Sequence, residues 1–490
     1  MSQDIDRPDV FDPQRWGLPA EAVAELSDRL RRMWSRFRDC FKTKTRDTSE
    51  YALVYMRGLL TMETKRHFTN IARRVMDPDD DGQNLQQFMS DSPWSAQAVF
   101  EQIQAEIRKR PELEGGMLTL DESGDKCSGP QKAGAARQYL GRLGKVDLGQ
   151  VGVGLGYYKD GIWALVDAEL YLPKSWFGDD YAQLRRRWHI PEDRTFRTKP
   201  QIGLEMIRRA KEGGLPFAVV GCDSVYGRDA QFRADLDAEG VIYMADVPED
   251  TQVYLEEPIL GVPKTPPGRQ GRPFCRARVL NKVKPVEVRK LVSHLKTVWH
   301  LVSVRHTERG PLTYRCTARR VWTVTKTGKV LEEWLFIRQE DDDTFSFSLS
   351  NAPGETPLKQ LALWRAQRYF AERIFQDSKS EAGWDELVAR KYRAWMHHTA
   401  LDALALWFVA ETKLDWAQAY PRDPELIEQL QVEVLPALSV ANVREMLKAV
   451  LPLKQLTPEE ATRLVVKHLV NRSRSTSSRL RSRHRSRSPT

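Results

Sequence analysis

Met117-Leu118-Thr119-Leu120-Asp121 and Phe217-Ala218-Val219-Val220-Gly221-Cys222-Asp223 are two short apolar runs that each close on an aspartate. Runs this short, bounded by glycine, proline and acid, are buried strands rather than helices. They predict strands over 117–120 and 216–221, with Asp121 and Asp223 at their ends. Between them, 151–158 alternates apolar residues with Gly152, Gly154 and Gly156, and Asp160-Gly161 is a two-residue hairpin signal. The return strand is 162–172. Further on, an amphipathic helix spans 200–212 and stops at Gly213-Gly214, a second helix covers 229–239, and a strand covers 241–247. Strands joined first by a hairpin and then alternating with helices predict an α/β fold, a mixed sheet with helices packed on it. The G-x-G-x-G spacing lies inside an alternating strand and leads to a turn, so it does not suit a dinucleotide loop.

On either side of this stretch the pattern changes. Upstream, Leu26, Leu30, Met33, Trp34, Phe37 and Phe41 recur at helical spacing over 21–41, opposite Arg29, Arg31, Arg32, Arg36, Arg38 and Lys42. Helices follow near 51–60, 65–75 and 96–110, giving a helical unit over 1–112. Downstream, prolines and glycines cluster between Pro258 and Pro273, and strand-like pieces follow at 298–304, 312–318, 320–325, 334–337 and 345–349. The acidic run Glu340–Asp343 reads as a hairpin tip. Thr356-Pro357 then opens a long helix to about 381. Further helices cover 386–410, 441–450 and 458–469. His397-His398 lies on an apolar helix and suits the core better than a metal.

Composition narrows the function. The chain has 490 residues, 41% of them hydrophobic and 29% charged, with a formal net charge of +9. No window reaches the ~18 uninterrupted apolar residues of a membrane span, and the acidic, proline-containing start is not a secretory signal. Five scattered cysteines, none in a Cys-x-x-Cys pair, fit a reducing cytosol and neither a disulfide scaffold nor a zinc site. The positive charge is segregated. Residues 471–490 hold seven Arg and no acid, and 261–330 hold 17 Lys or Arg against Glu287 and Glu308. The first segment is too polar to bury a core and is expected to be disordered. The second also carries Phe274, Trp299, Tyr314 and Trp322, and aromatics among cations suit nucleic-acid contact. An RNA-associated protein is a rival reading of the Arg/Ser tail, but no RNA-recognition aromatic motif is present.

Three acids carry candidate chemistry. Asp121 and Asp223 at strand ends sit where open α/β sheets place their sites, and two neighbouring carboxylates suit a hard divalent cation. On the predicted helix 356–381, Arg365, Arg368, Glu372 and Lys379 fall on one face, with Leu363, Phe370 and Ile374 on the other. A carboxylate flanked by cations suits a metal site beside a gripped phosphate. By spacing alone, Arg368 and Glu372 read first as an ordinary i,i+4 ion pair on a solvated face.

Taken together, these segments resemble the DDE transposases of bacterial insertion sequences, in the group with a Tyr-Arg-Glu-Lys signature. The resemblance rests on Tyr55-Met56-Arg57-Gly58-Leu59-Leu60, Leu85 to Trp94, Asp121-Glu122-Ser123-Gly124, Asp223-Ser224-Val225-Tyr226-Gly227, and Arg368, Glu372 and Lys379 at the signature's spacing. Arg365 stands where the signature has tyrosine. The resemblance implies a ribonuclease-H-like catalytic domain over 113–250 and 355–410, split by a basic β-rich insertion over 251–354. It also implies a helical DNA-binding unit over 1–112 and a helical region over 411–470 that pairs two subunits. Asp121, Asp223 and Glu372 would hold two Mg²⁺, with Mn²⁺ as a substitute. Arg365, Arg368 and Lys379 would grip phosphates, and Trp299 or Trp322 would stack on a flipped base. The partners implied are terminal inverted repeats and target DNA, bound by a homodimer in the bacterial cytoplasm at the nucleoid. A catalytically inactive, transposase-derived DNA-binding protein is the alternative.

Overall fold

The computed structural model describes residues 9–263, 277–294, 297–308, 310–341 and 343–485, so Phe274 and the Pro266–Pro273 cluster fall outside the described residues. One ten-stranded sheet organises the molecule. Its strands are β1 (Gly116–Lys126), β2 (Ala136–Leu140), β3 (Lys145–Lys159), β4 (Ile162–Leu170), β5 (Phe217–Cys222), β6 (Tyr243–Val247), β7 (His300–Thr307), β8 (Gly310–Val324), β9 (Val330–Asp341) and β10 (Thr344–Ser350). The spatial order is β7-β8-β9-β10-β6-β5-β1-β3-β2, and β4 also pairs with β3. β1, β5 and β6 run parallel, and the other pairings are antiparallel. With helices packed against it, this mixed sheet is the ribonuclease-H-like arrangement, with helical regions before and after.

The helices that matter here are α1 (Leu26–Phe37), α2 (Ser49–Thr61), α3 (Gln83–Ser90), α4 (Ala96–Arg108), α5 (Lys199–Glu212), α6 (Ala230–Ala238), α7 (Leu358–Gln367), α8 (Tyr369–Ser380), α9 (Tyr392–Ala419), α10 (Val440–Val450) and α11 (Pro458–Arg485). α5 begins at a capping box in which Thr198 and Gln201 satisfy each other's backbone. α9 is apolar all round through its middle, with Ala403, Leu404, Ala405, Trp407 and Phe408 sealed from solvent. Such a helix belongs at the centre of a core, and it packs on α2, α4 and β4. Among the described residues no helix is long and apolar enough to cross a membrane.

Several sequence expectations need adjustment. β1 does not stop at Asp121 but runs to Lys126 against β3. What ends near Asp121 is its pairing with β5, whose last partners are Leu120 and Cys222. The helix expected over 356–381 is broken at Arg368 into α7 and α8, so angular offsets counted across the break do not describe one face. The segments 312–318 and 320–325 are one strand, β8. The strands of the basic block do not form a sheet of their own. β10 pairs with β6, with Ser348 opposite Asp246, and so extends the central sheet. The acidic run does mark the β9–β10 hairpin. α11 continues to Arg485 where composition predicted no order; arginine is a good helix former, and extending a helix is cheaper than starting one.

The basic residues on α1 and just after it are largely engaged in ion pairs. Arg29 pairs with Asp415, Arg36 with Glu106 at 2.8 Å and Glu411 at 2.6 Å, Arg38 with Asp47 at 2.8 Å, and Lys42 with Asp39 at 2.6 Å. Arg31 and Arg32 remain exposed.

Candidate active site

The parallel strands set up the site by register. Leu120 on β1 lies opposite Cys222 on β5, and Cys222 lies opposite Ala245 on β6. The next residue on each chain is an aspartate: Asp121, Asp223 and Asp246. The three therefore stand in one row at the carboxyl end of the parallel strands, where α/β sheets open to ligands. Asp223 leaves its strand as an N-cap, its carboxylate accepting from the Val225 N–H at 2.9 Å. Asp121 accepts from the Glu122 N–H at 2.7 Å.

Glu372 reaches the same place from α8. A cleft of about 490 Å³ is lined by Asp121, Asp223 and Asp246 together with Arg368, Glu372 and Phe345. α8 comes this close because β3 carries glycine on the face it covers. A Cβ at Gly154 would sit 2.6 Å from the Phe375 ring, and one at Gly156 would overlap Ile374. Gly154 and Gly156, which do not suit a dinucleotide loop, are thus the seat of the Glu372 helix.

The acids are electrostatically strained. Burial first, and then the Asp223 charge, push the Asp121 carboxyl up to about 7. Burial and then Glu122 raise Asp223. Burial disfavours the Arg368 charge, but Asp246, Asp121, Glu372 and Asp223 outweigh it and hold the guanidinium above its ordinary value. One oxygen of Glu122 is also buried with no hydrogen-bond partner, although Lys199 sits 2.7 Å from the other. Crowded oxygen donors with surplus negative charge fit a hard divalent cation. Asp121 and Asp223 form the convergent pair. Glu372 lines the cleft but does not draw in to complete a cluster, and among the described residues no three acidic, histidine or cysteine side chains are gathered tightly enough to hold an ion.

A family model described as DDE superfamily endonuclease matches residues 36–311. A curated protein of Microchaete diplosiphon, described as a probable transposase for insertion sequence element IS701, is 25% identical over 321 residues, which span 64% of this chain and 70% of that protein. The chain belongs to the DDE endonuclease superfamily. It is a DDE transposase of the insertion-sequence kind, a class of enzyme that acts on DNA and generally works with divalent metal ions. The family match contains Asp121 and Asp223 and stops short of Glu372, so the third acid rests on its place in the cleft.

The transposase distributes the other sequence candidates unevenly. Arg368 lines the cleft. Arg365 is buried behind it, its Nε 2.8 Å from Asp246. Lys379, two turns along α8, bonds Asp125 at 2.8 Å and does not line the cleft. Trp299 packs on Phe345 with ring centres 5.6 Å apart and carries Arg315 over its face. Trp322 is half-buried on β8 and bridges Tyr254 through backbone. Neither tryptophan lines the cleft; Phe345 and Phe347 do. Sequence reading missed Asp246, Phe345 and Phe347. The signal for Asp246 was available, since Tyr243-Met244-Ala245-Asp246 is another apolar strand running into an aspartate.

Proposed function

We propose that this cleft is the phosphoryl-transfer centre of the transposase, that Asp121 and Asp223, with Glu372, hold two Mg²⁺ (or Mn²⁺), and that the enzyme cuts and joins the ends of its own element. The observation that carries this reading is the adjacent register of Asp121 and Asp223 on parallel strands, facing Glu372 and Arg368 across one opening. When bound, the metals supply an activated water or DNA 3′-OH and stabilise the leaving oxygen of an in-line displacement.

The chain's own side chains prepare for that chemistry. The buried aspartates offer oxygen donors already desolvated, so their attraction to a cation is weakly screened. Arg368 stands ready for a phosphate oxygen, with the guanidinium geometry that suits it. The basic strands β7 and β8 border the same sheet and would track the DNA backbone. The substrates would be the terminal inverted repeats and then target DNA in a cut-and-paste sequence, with two copies of the chain holding the two ends. Lys379 would join the phosphate grip on leaving Asp125, and Trp299, packed on the cleft residue Phe345, or Trp322 would stack on a displaced base.

The test is cleavage of a labelled duplex carrying the DNA that flanks this reading frame. Asp121→Asn, Asp223→Asn and Glu372→Gln should each remove Mg²⁺-dependent cutting while binding persists. Retained cutting by the aspartate variants would end the assignment. Binding without cutting by the unaltered chain would favour a DNA-binding protein that has lost its chemistry.

A further inference from the structure

Asp246 stands in the acidic row, yet its surroundings differ from those of Asp121 and Asp223. Its Oδ1 lies 2.8 Å from Arg365 Nε and accepts from the Ser348 hydroxyl at 2.7 Å, and its Oδ2 lies 2.8 Å from Arg368 Nε. Both oxygens therefore face a guanidinium at ion-pair distance, and two cations beside this carboxylate disfavour a third. Arg365 lies in the last turn of α7 and Arg368 is the residue between α7 and α8, so Asp246 ties that junction to β6. Arg365 is buried, with only 8% of it exposed, so it needs a counter-charge in place. Arg368 needs one for another reason. It borders Asp121, Asp223 and Glu372, and a long, flexible cation with no anchor would fall onto those carboxylates and cover the cation site.

Resting on the function proposed above, we infer that Asp246 is a positioning residue of this site: by holding Arg365 and Arg368 together against the end of β6, it keeps Arg368 on the wall of the cleft, directed at the phosphate to be cut and off the metal-binding aspartates. Ser348, in register with it on β10, orients the carboxylate. The block that separates the second and third acids thus contributes to the site through its last strand.

Single-turnover cleavage of the flanking-DNA duplex by the full chain tests this. At saturating DNA, Asp246→Asn should cut about 100-fold more slowly, the scale of losing one preorganised electrostatic contact. DNA affinity in EDTA should stay within about 3-fold, because one phosphate contact among many is disturbed. The Mg²⁺ concentration for half-maximal rate should stay within about 2-fold, as for a residue that is no ligand. In an Arg368→Ala background the same change should cost less than about 3-fold more, since residues acting through one another are not additive. An unchanged rate, a faster rate, a large shift in Mg²⁺ demand, or full additivity with Arg368→Ala would each overturn the inference. If Asp246→Asn does not fold by thermal melt, Ser348→Ala keeps every charge and should still slow cutting about 5-fold; an unchanged rate there would likewise overturn it. Asp121→Asn separates the two claims. If it still cuts, the site itself is misassigned; if it is dead while Asp246→Asn is fully active, the site stands and the role of Asp246 falls.

Discussion

Burial moves a carboxyl and an imidazole in opposite directions, and this protein holds both cases. Asp121 is pushed up to about 7 by its buried place and by Asp223. His398, sealed under α2 with Tyr55 Oη at 2.9 Å and the Trp384 carbonyl at 3.0 Å, is pushed down to about 4 by burial. The consequence for stability follows from linkage. The folded state holds His398 neutral below the pH at which the unfolded chain protonates it, so its contribution is complete above about 6.5 and is lost as pH falls toward 4. At its largest the contribution is on the order of 3 kcal/mol. His398→Gln should therefore shrink the loss of unfolding free energy between pH 7 and 5 relative to the unaltered protein. Urea melts at the two pH values measure this, and parallel pH profiles would refute it. The pair His397-His398 was legible as core from its apolar helix, and both are buried. The strain on Asp121 was not legible, because it depends first on burial and then on Asp223, a residue distant in sequence and one strand away.

At the scale of elements, the approach of α8 to β3 decides whether Glu372 reaches the aspartates. Gly154 and Gly156 permit it, and side chains there would meet Phe375 and Ile374. Gly154→Val should destabilise the fold by about 1–3 kcal/mol, as overpacking does, and should depress cleavage more than DNA binding by lifting Glu372 away. Equal rates at a temperature well below the melt would show that α8 is not held by this contact. The sequence pattern located a glycine-rich strand but could not say what lay over it, since the packing partners Ile374 and Phe375 arrive from far along the chain. For the same reason the break at Arg368 was invisible: helical periodicity continues through it, while both neighbouring arginines are drawn to Asp246.

For the whole molecule, the question is how the basic strands stay joined to the catalytic sheet. β10 against β6 is one link. A second is a buried network in which Arg233 of α6 meets Glu333 of β9 at 2.8 Å and the Tyr243 hydroxyl donates to Glu333 at 2.7 Å. Breaking such a pair from one side leaves an uncompensated buried charge and costs about 3–5 kcal/mol. Arg233→Ala should lower the melting temperature sharply and expose β8 and β9 to protease; an unchanged melt would rule out this clamp. The other end of the chain predicts a salt effect. Removing residues 471–490 deletes seven arginines, so the slope of log affinity against log salt for duplex DNA should flatten, and an unaltered slope would remove the tail from the interface.

Local pattern was enough to determine the apolar strands that carry Leu120-Asp121 and run into Asp223, most of the helices, the mixed α/β class and the segregation of positive charge. These depend on side-chain period and turn chemistry within a few residues. Which acids share a cleft, that Asp246 faces Arg365 and Arg368, that Lys379 rests on Asp125, and that the basic strands lengthen the central sheet were decided by tertiary structure alone. Strand register and helix seating bring together residues hundreds of positions apart, and no short window of sequence carries that information.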